Sequence, residues 1–346
     1  GITVTEKLDP QTAPTAEPPA EEVPQTAQPA EQTPAAPRLT PAHQVPWAAI
    51  ASALLMFVVS IMSFRLVWNM FVVSAEGRVA DHAAMLGAER GQTAIWSTFY
   101  AVLEAISIPF LLIVVLGSFA LGVLRRRWIV AIQVVLLVGG SNLTTQLLKQ
   151  NILELPADDP LPAVANSLPS GHTTVAASLA VAVLFTVSRR WRPLAAVLGM
   201  VYAVLVGVTT VIGQWHRPSD VITAYLVVAA WAAIVCVIIS LDGREVVMAN
   251  ADASGWESGK PASRAIVTTA AMFVAVALIG ALIAIFGYWR TSGLEEPAQS
   301  GSELTLAFAG GAAGIVTVGA LVFAGLLAVR SMADRRLDQT IALPES

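Results

Sequence analysis

Long apolar runs alternate with short polar segments along most of the chain. Roughly 20 apolar residues are needed for a helix to cross a hydrocarbon core of about 30 Å. Eight runs of about this length lie near residues 47–71, 98–123, 129–148, 173–188, 194–212, 221–241, 266–288 and 305–329. Hydrophobic residues make up 55% of the 346 positions and charged residues 13%, which excludes an ordinary soluble domain. The pattern predicts an all-α, polytopic membrane helical bundle with eight spans.

Two polar segments divide this pattern. Residues 1–44 are rich in Pro, Ala, Thr, Gln and Glu, which predicts a disordered cytoplasmic tail. Residues 242–265 contain Gly, Pro and polar side chains, which predicts a cytoplasmic linker. The linker separates a six-span core, residues 45–241, from a two-span hairpin, residues 266–329. A second cytoplasmic tail, residues 330–346, follows the hairpin.

The placement of Lys and Arg predicts the orientation, because cytoplasmic segments of membrane proteins carry an excess of these residues. With a cytoplasmic N-terminus, the inside segments carry Arg125, Arg126, Arg127, Arg189, Arg190, Arg192, Arg244, Lys260, Arg264, Arg330, Arg335 and Arg336. The outside segments carry only Arg78, Arg90, Lys149, Arg217 and Arg290. We therefore expect a multi-pass protein of a bacterial plasma (inner) membrane with both termini in the cytoplasm. The excess of Arg over Lys is typical of a GC-rich bacterial genome.

The eighth run contains five glycines among alanines: Gly310, Gly311, Gly314, Gly319 and Gly325. Small residues of this kind let two helices approach closely. Packing against the core is the favoured interpretation. A homodimer through the C-terminal hairpin, or a protein partner of the N-terminal tail, is the alternative. We expect membrane lipids as partners and no nucleic acid.

Two of the four histidines lie in short outward-facing loops that lead into spans four and six. The loops read LPSGH over residues 168–172 and WHRPSD over residues 215–220, and Lys149 ends span three at the same face. At a helix start, free N–H groups and the positive end of the helix dipole attract anions, and glycine allows close backbone approach. Ser170, Gly171 and Lys149 are therefore candidate phosphate-binding residues. Helix capping by the serines, and an interfacial anchor role for the lysine, are the structural alternatives.

The spacing in the second loop predicts an oriented nucleophile. His216 and Asp220 are four residues apart, so a helix that begins near Pro218 brings the carboxylate within reach of the imidazole. This contact fixes the tautomer and leaves the second ring nitrogen free to attack phosphorus. His172 is then a candidate general acid for the leaving oxygen. The chemistry needs no cofactor, and no metal site is indicated.

These motifs resemble the type 2 phosphatidic acid phosphatase superfamily, which are integral-membrane lipid phosphatases. The family pattern is Lys, six residues and Arg-Pro; then Pro-Ser-Gly-His; then Ser-Arg, five residues, His, three residues and Asp. By position, the resemblance implies the phosphate ligands Lys149, Ser170 and Gly171, the general acid His172, the nucleophile His216 that forms a phosphohistidine, and its orienting acid Asp220. It also implies a six-span core that hydrolyses a phosphate or diphosphate ester, of polyprenyl or glycerolipid type, at the outer leaflet.

The sequence departs from the family pattern at both arginines. Pro156-Ala157, or Leu155-Pro156 if one residue is deleted, replaces the Arg-Pro of the first motif, and Thr209-Thr210 replaces the Ser-Arg of the third. Arg217 and Arg65 are candidate replacements in the phosphate site, although Arg65 has an alternative as the ion-pair partner of Glu104. The missing arginines raise two further hypotheses. One is a non-catalytic lipid-phosphate binder or scaffold, and the other is a phosphotransferase that uses the same histidine.

Overall fold

The computed structural model describes residues 47–89, 116, 128–153, 167–241, 259–292 and 301–341. Nearly all of these residues are helical and none of them forms a strand, which confirms the all-α bundle. The helices are α1 (Trp47–Trp68), α2 (Ala75–Ala88), α3 (Trp128–Leu147), α4 (Gly171–Thr186), α5 (Arg192–Ile212), α6 (Pro218–Leu241), α7 (Gly259–Thr291) and α8 (Gly301–Ile341). Short π-helical turns, Asn69–Val73 and Leu148–Ile152, follow α1 and α3.

Six helical segments in this described part are long and apolar enough to cross a membrane. They are Trp47–Val73, Ala131–Ile152, Arg189–Ile212, Pro218–Leu241, Ser263–Thr291 and Gly301–Met332. The protein is therefore a multi-pass membrane protein. The predicted span at 173–188 corresponds to α4, a shorter apolar helix of 16 residues. The predicted span at 98–123 lies outside the described residues except for Leu116.

The last two helices extend past the apolar runs that predicted them. Helix α7 begins at Gly259, inside the predicted linker, and α8 continues to Ile341 instead of ending near residue 329. Hydropathy marks where a helix leaves the hydrocarbon, whereas the backbone hydrogen bonds can continue into the polar region. Pro261 does not oppose the earlier start, because proline is tolerated in the first turn of a helix.

Helix α6 is the central helix of the bundle and is buried along most of its length. Its residues are apolar all round, as expected for a helix that contacts neighbours on every side. The Tyr225 hydroxyl donates to the Ala203 carbonyl of α5 at 2.8 Å. On another face, Trp231 Nε1 donates to Thr144 Oγ1 of α3 at 3.0 Å. These two bonds satisfy the polar ends of large side chains within the apolar core.

The glycines of α8 let the C-terminal hairpin pack closely against the rest of the bundle. A Cβ atom on Gly311 would lie 2.6 Å from Pro218 Cγ and 3.1 Å from Ala84 Cβ. A Cβ atom on Gly310 would lie 3.1 Å from Gly287 Cα of α7. A Cβ atom on Gly311 would force its neighbours to move, and one on Gly310 would be tighter than an ordinary van der Waals contact. The structure therefore supports the packing interpretation of the small-residue pattern.

Helix α2 comes after the π-helical turn that follows α1, and it was not among the predicted spans. Its first turn is capped by Ser74, whose side chain accepts from the Gly77 amide at 3.3 Å. Arg78 donates to the carbonyls of Val72 and Val73 at 2.9 and 3.0 Å, which satisfies the last carbonyls of the preceding helix. With only 14 residues, many of them alanine or glycine, α2 gives no long apolar run.

Candidate active site

A tight turn after α5 carries His216, in a segment that we call the histidine loop, residues 213–217. The Thr210 carbonyl accepts from the backbone amides of Trp215 and His216 at 3.1 and 3.3 Å. Gln214 has a φ of 62°, in the left-handed region. That conformation costs a non-glycine residue about 1 kcal/mol or more, so the surrounding contacts must hold the turn in place. The loop returns the chain to the start of α6.

The predicted pair between His216 and Asp220 is present. His216 Nδ1 lies 3.1 Å from Asp220 Oδ2, and both side chains are buried. The same oxygen accepts from the Arg217 amide at 2.9 Å and from Ser167 Oγ at 2.5 Å. An ionised carboxylate can only accept, so the proton of the imidazole lies on Nδ1 and the lone pair on Nε2. The arrangement fixes the orientation of the imidazole ring and leaves Nε2 with its lone pair.

The start of α4 is tied to the start of α6 and remains open at its glycine. Ser170 Oγ accepts from the Thr173 amide at 3.3 Å, so this side chain caps the helix. The Ser170 amide donates to the Asp220 carbonyl at 2.9 Å. Of the described residues, none would bring an atom closer to a Cβ on Gly171 than Gln146 Nε2, at 3.8 Å. As far as these residues go, an anion has room to approach the backbone of the first turn of α4.

The structure brings the other predicted site residues to the same end of the bundle. The ring of His172 lies 5.4 Å from that of Trp215, centroid to centroid. His172 is close enough to His216 and Lys149 to interact electrostatically with both, and Lys149 interacts in the same way with Asp220. Lys149 lies in the π-helical turn that ends the third span. Three separate stretches of the chain thus converge on one cluster.

The two candidate replacements for the missing arginines lie in different surroundings. Arg217 is only 8% exposed, and its Nε atom has no hydrogen-bond partner among the described residues. A buried, unsatisfied cationic donor is unfavourable without an anion. Arg65 is exposed on α1, and no hydrogen bond or ion pair joins it to any described residue. The proposed partner Glu104 lies outside the described residues.

The threonines at the third motif supply no charge to the site. Thr209 Oγ1 donates to the Leu205 carbonyl at 2.6 Å, and Thr210 Oγ1 donates to the Gly207 carbonyl at 2.7 Å. Both hydroxyls are therefore used within α5. Pro156 and Ala157 lie outside the described residues. Of the two candidate arginines, Arg217 is the one that is buried and that lies beside His216 in the chain.

The sequence analysis missed Asp81 of α2. Its Oδ1 accepts from the Ser219 amide at 3.1 Å, and its Oδ2 accepts from Ser219 Oγ at 2.6 Å. Ser219 thus bonds to Asp81 and does not act as the cap proposed as its structural alternative. Burial raises the pKa of Asp81 from 3.8 to about 7, and the negative charge of Asp220 adds to the increase. Its neighbours Arg78 and His82 are also buried, and this polar face on a small-residue helix was the available signal.

The family model described as the PAP2 superfamily matches residues 131–244. This match confirms the resemblance to the type 2 phosphatidic acid phosphatase superfamily over the segment that contains Lys149, His172, His216 and Asp220. The superfamily generally comprises phosphoester hydrolases, which supports a phosphatase-like function. No curated protein and no solved structure matches the chain significantly.

Proposed function

We propose that this protein is a membrane lipid phosphatase that hydrolyses a phosphate or diphosphate ester through a phosphohistidine on His216. The observation that supports this most strongly is the 3.1 Å contact between His216 Nδ1 and Asp220 Oδ2. A carboxylate that holds one ring nitrogen leaves the other nitrogen to act as a nucleophile. His172 is close enough to interact electrostatically with His216 and with Lys149, and Lys149 is close enough to interact with Asp220.

In the first step, His216 Nε2 attacks the phosphorus atom of the bound ester. The new N–P bond forms as the P–O bond to the lipid breaks. Protonated His172 donates its proton to the leaving oxygen, so that an alcohol leaves, or a lipid monophosphate when the substrate is a diphosphate. Asp220 stabilises the positive charge that develops on the His216 ring.

In the second step, water attacks the phosphohistidine. Neutral His172 accepts a proton from this water as the new P–O bond forms and the N–P bond breaks. Inorganic phosphate leaves, and both histidines return to their starting states. The chain's own residues supply the nucleophile, the acid and the base, so each proton removed in one step is returned in the other.

The phosphate is proposed to bind at the start of α4. The backbone around Gly171 and the positive end of the α4 dipole supply hydrogen bonds and partial charge. Lys149 adds a positive charge from the π-helical turn that follows α3. Arg217 is proposed to take over part of the role of the two missing motif arginines, because its guanidinium is buried beside the nucleophile with an unsatisfied Nε. Preorganised cations of this kind stabilise the transition-state charge.

The substrate is proposed to be an amphiphile in the outer leaflet, either a polyprenyl phosphate or diphosphate or a glycerolipid phosphate. The distribution of Lys and Arg supports cytoplasmic termini and an outward-facing site. A headgroup at the membrane surface can reach the outer ends of the third, fourth and sixth spans while its apolar tail stays in the bilayer. Arg65, near the outer end of α1, is proposed only as a peripheral contact for such a headgroup.

The test is release of inorganic phosphate from a panel of lipids by the purified full chain in nanodiscs. The panel contains a polyprenyl monophosphate, a polyprenyl diphosphate and a phosphatidate. H216A is expected to lose all measurable release, whereas H43A, the same substitution outside the matched segment, is expected to keep the wild-type rate. Equal rates for H216A and the wild type would overturn the proposal.

The two alternative functions give different results in the same assay. If the protein is a lipid-phosphate binder, H216A would still bind the lipid, and the wild type itself would release no phosphate. A phosphotransferase would release phosphate slowly in water and would form a new phosphoester when a suitable alcohol is added. The missing motif arginines favour the binder as the stronger of these two alternatives.

A further inference from the structure

Helix α2 contacts the chain on both sides of His216. Before it, Gln214 Nε2 donates to the Met85 carbonyl. After it, the amide and hydroxyl of Ser219 donate to the two carboxyl oxygens of Asp81 at 3.1 and 2.6 Å. The histidine loop and the first turn of α6 are therefore each held at one point by a helix that lies outside the segment matched by the family model.

We propose that Asp81 is a positioning residue for the reaction at His216: it fixes the first turn of α6 and thereby sets the Asp220–His216 geometry. The inference rests on the proposed function. Asp81 binds Ser219, and the next residue is Asp220, whose carboxylate holds the imidazole. A shift of this turn would move both members of the pair relative to phosphorus. Small misplacements of this kind lower rates by about 100-fold.

The charge of Asp81 also acts on the rest of the site. Its carboxyl group offers each of the two Ser219 donors an oxygen of its own, whereas a neutral amide offers one acceptor oxygen, and this arrangement places a second carboxyl group near Asp220. The ionisable groups around Asp81, from the elements packed against α2 and from α2 itself, are Asp220, Arg217, Tyr288, Arg78 and His82. A change in the charge of Asp81 therefore acts on the orienting acid and on the proposed phosphate-binding arginine at once.

The test compares D81A and D81N with E76Q, which removes a negative charge from an exposed position on the same helix. In D81A, kcat is expected to fall by about 10- to 100-fold, with a change in KM of less than about 3-fold. D81N keeps an acceptor for the Ser219 amide, so its loss in kcat is expected to be smaller. We expect the pH profile of kcat to show an ionisation near neutrality in the wild type and to lack it in D81N. E76Q is expected to behave as the wild type.

Wild-type kcat and an unchanged pH profile in both Asp81 variants would overturn the inference. The inference would also be overturned if the variants lost the same fraction of activity at every pH and the amount of folded protein had fallen by that same fraction. A purely structural role predicts that second result.

A second readout does not need activity. The proton on His216 Nδ1 in the bond to Asp220 gives its own NMR signal in protein labelled at histidine. We expect this signal to shift and broaden in D81A and to stay unchanged in E76Q. An inactive wild type would refute the proposed function, and the NMR comparison would still decide the role of Asp81. An unchanged Nδ1 proton in D81A would refute that role.

Discussion

Helices α4 and α6 both begin at a Pro-Ser pair, but the two serines have different roles. At α4, the Ser170 hydroxyl caps its own helix by accepting from the Thr173 amide. At α6, the Ser219 hydroxyl donates to Asp81, and a second carboxylate, that of Asp220, accepts from the Arg217 amide. One helix start is thus capped by a neutral group, whereas the other is occupied by two carboxyl groups.

This difference suggests where each partner of the reaction belongs. Two carboxyl groups already use the donors at the start of α6, so an added anion would meet negative charge there. The start of α4 keeps its positive dipole end, and no side chain in the described part of the chain fills the space at Gly171. We therefore assign the phosphate to α4 and the nucleophile to α6. Four predictions test this division, from the largest expected effect to the smallest.

The largest effect is expected at the acid that orients the nucleophile. In D220N the amide can donate to His216 Nδ1 and select the wrong tautomer, so kcat is expected to fall by about 10³- to 10⁴-fold. KM for the lipid should change little, because Asp220 is not assigned to phosphate binding. The measurement is steady-state phosphate release with D220N and wild type side by side. A loss below about 10-fold would show that the α6 start does not orient the nucleophile.

The next effect is expected at the proposed replacement for the motif arginines. R217A is expected to lower kcat/KM by about 10²- to 10³-fold, the range found when one preorganised donor is removed. R217K should recover part of this, because it restores the charge without the planar fork. R65A serves as the matched control on the exposed arginine and is expected to lose less than about 3-fold. Similar losses in R217A and R65A would contradict the assignment of Arg217.

A stability effect is expected from the carboxyl group at the α6 start. Because the pKa of Asp81 is raised from 3.8 to about 7 on folding, the folded protein binds this proton more tightly than the unfolded chain. The stabilisation that this proton gives the folded protein is fully present below about pH 4 and is lost as the pH rises through about 7. When the pH is raised from about 5 to about 8, the free energy of unfolding of the wild type should fall by up to about 3 kcal/mol more than that of D81N.

Thermal unfolding in detergent at those two pH values measures this difference. Subtracting the change in stability of D81N from that of the wild type removes the contributions of the other titrating groups. An equal change in both proteins, or a larger change in D81N, would show that Asp81 is ionised at low pH in the folded state.

The smallest effect is expected at the neutral cap of α4. S170A should destabilise the protein by about 1 kcal/mol, the usual effect of removing a serine cap. S170T keeps the oxygen and should be close to the wild type in unfolding temperature. Both are measured by thermal unfolding of the purified protein. A loss of several kcal/mol in S170A would mean that Ser170 has a structural role larger than capping.

The sequence predicted the parts of the fold and site that depend on local patterns. The described spans follow from hydropathy, and the His216–Asp220 contact follows from a four-residue spacing at a helix start. The role of Asp81 could not be predicted in this way, because 138 positions separate it from Ser219. Packing between α2 and α6 brings them together, and α2 itself is too short and too rich in small residues to give a hydropathy signal.

The ends of helices and the roles of single hydroxyls could not be predicted from the sequence either. The α8 helix continues to Ile341 after its apolar run has ended, because helical hydrogen bonding does not require apolar side chains. Ser170 and Ser219 occur in nearly the same local sequence, Pro-Ser, yet only Ser170 caps. The difference arises from where each helix begins: Ser170 is the residue before α4, whereas Ser219 already lies in the first turn of α6 and donates its hydroxyl to Asp81.

The most direct test of the account is chemical trapping of the phosphoryl group on the enzyme. The wild type is mixed with a labelled lipid phosphate, quenched within milliseconds and digested, and the labelled peptide is identified by mass spectrometry. The account predicts an acid-labile phosphoryl group on His216, present in the wild type and absent from H216A. A phosphoryl group on another residue, or turnover without any label on His216, would contradict it.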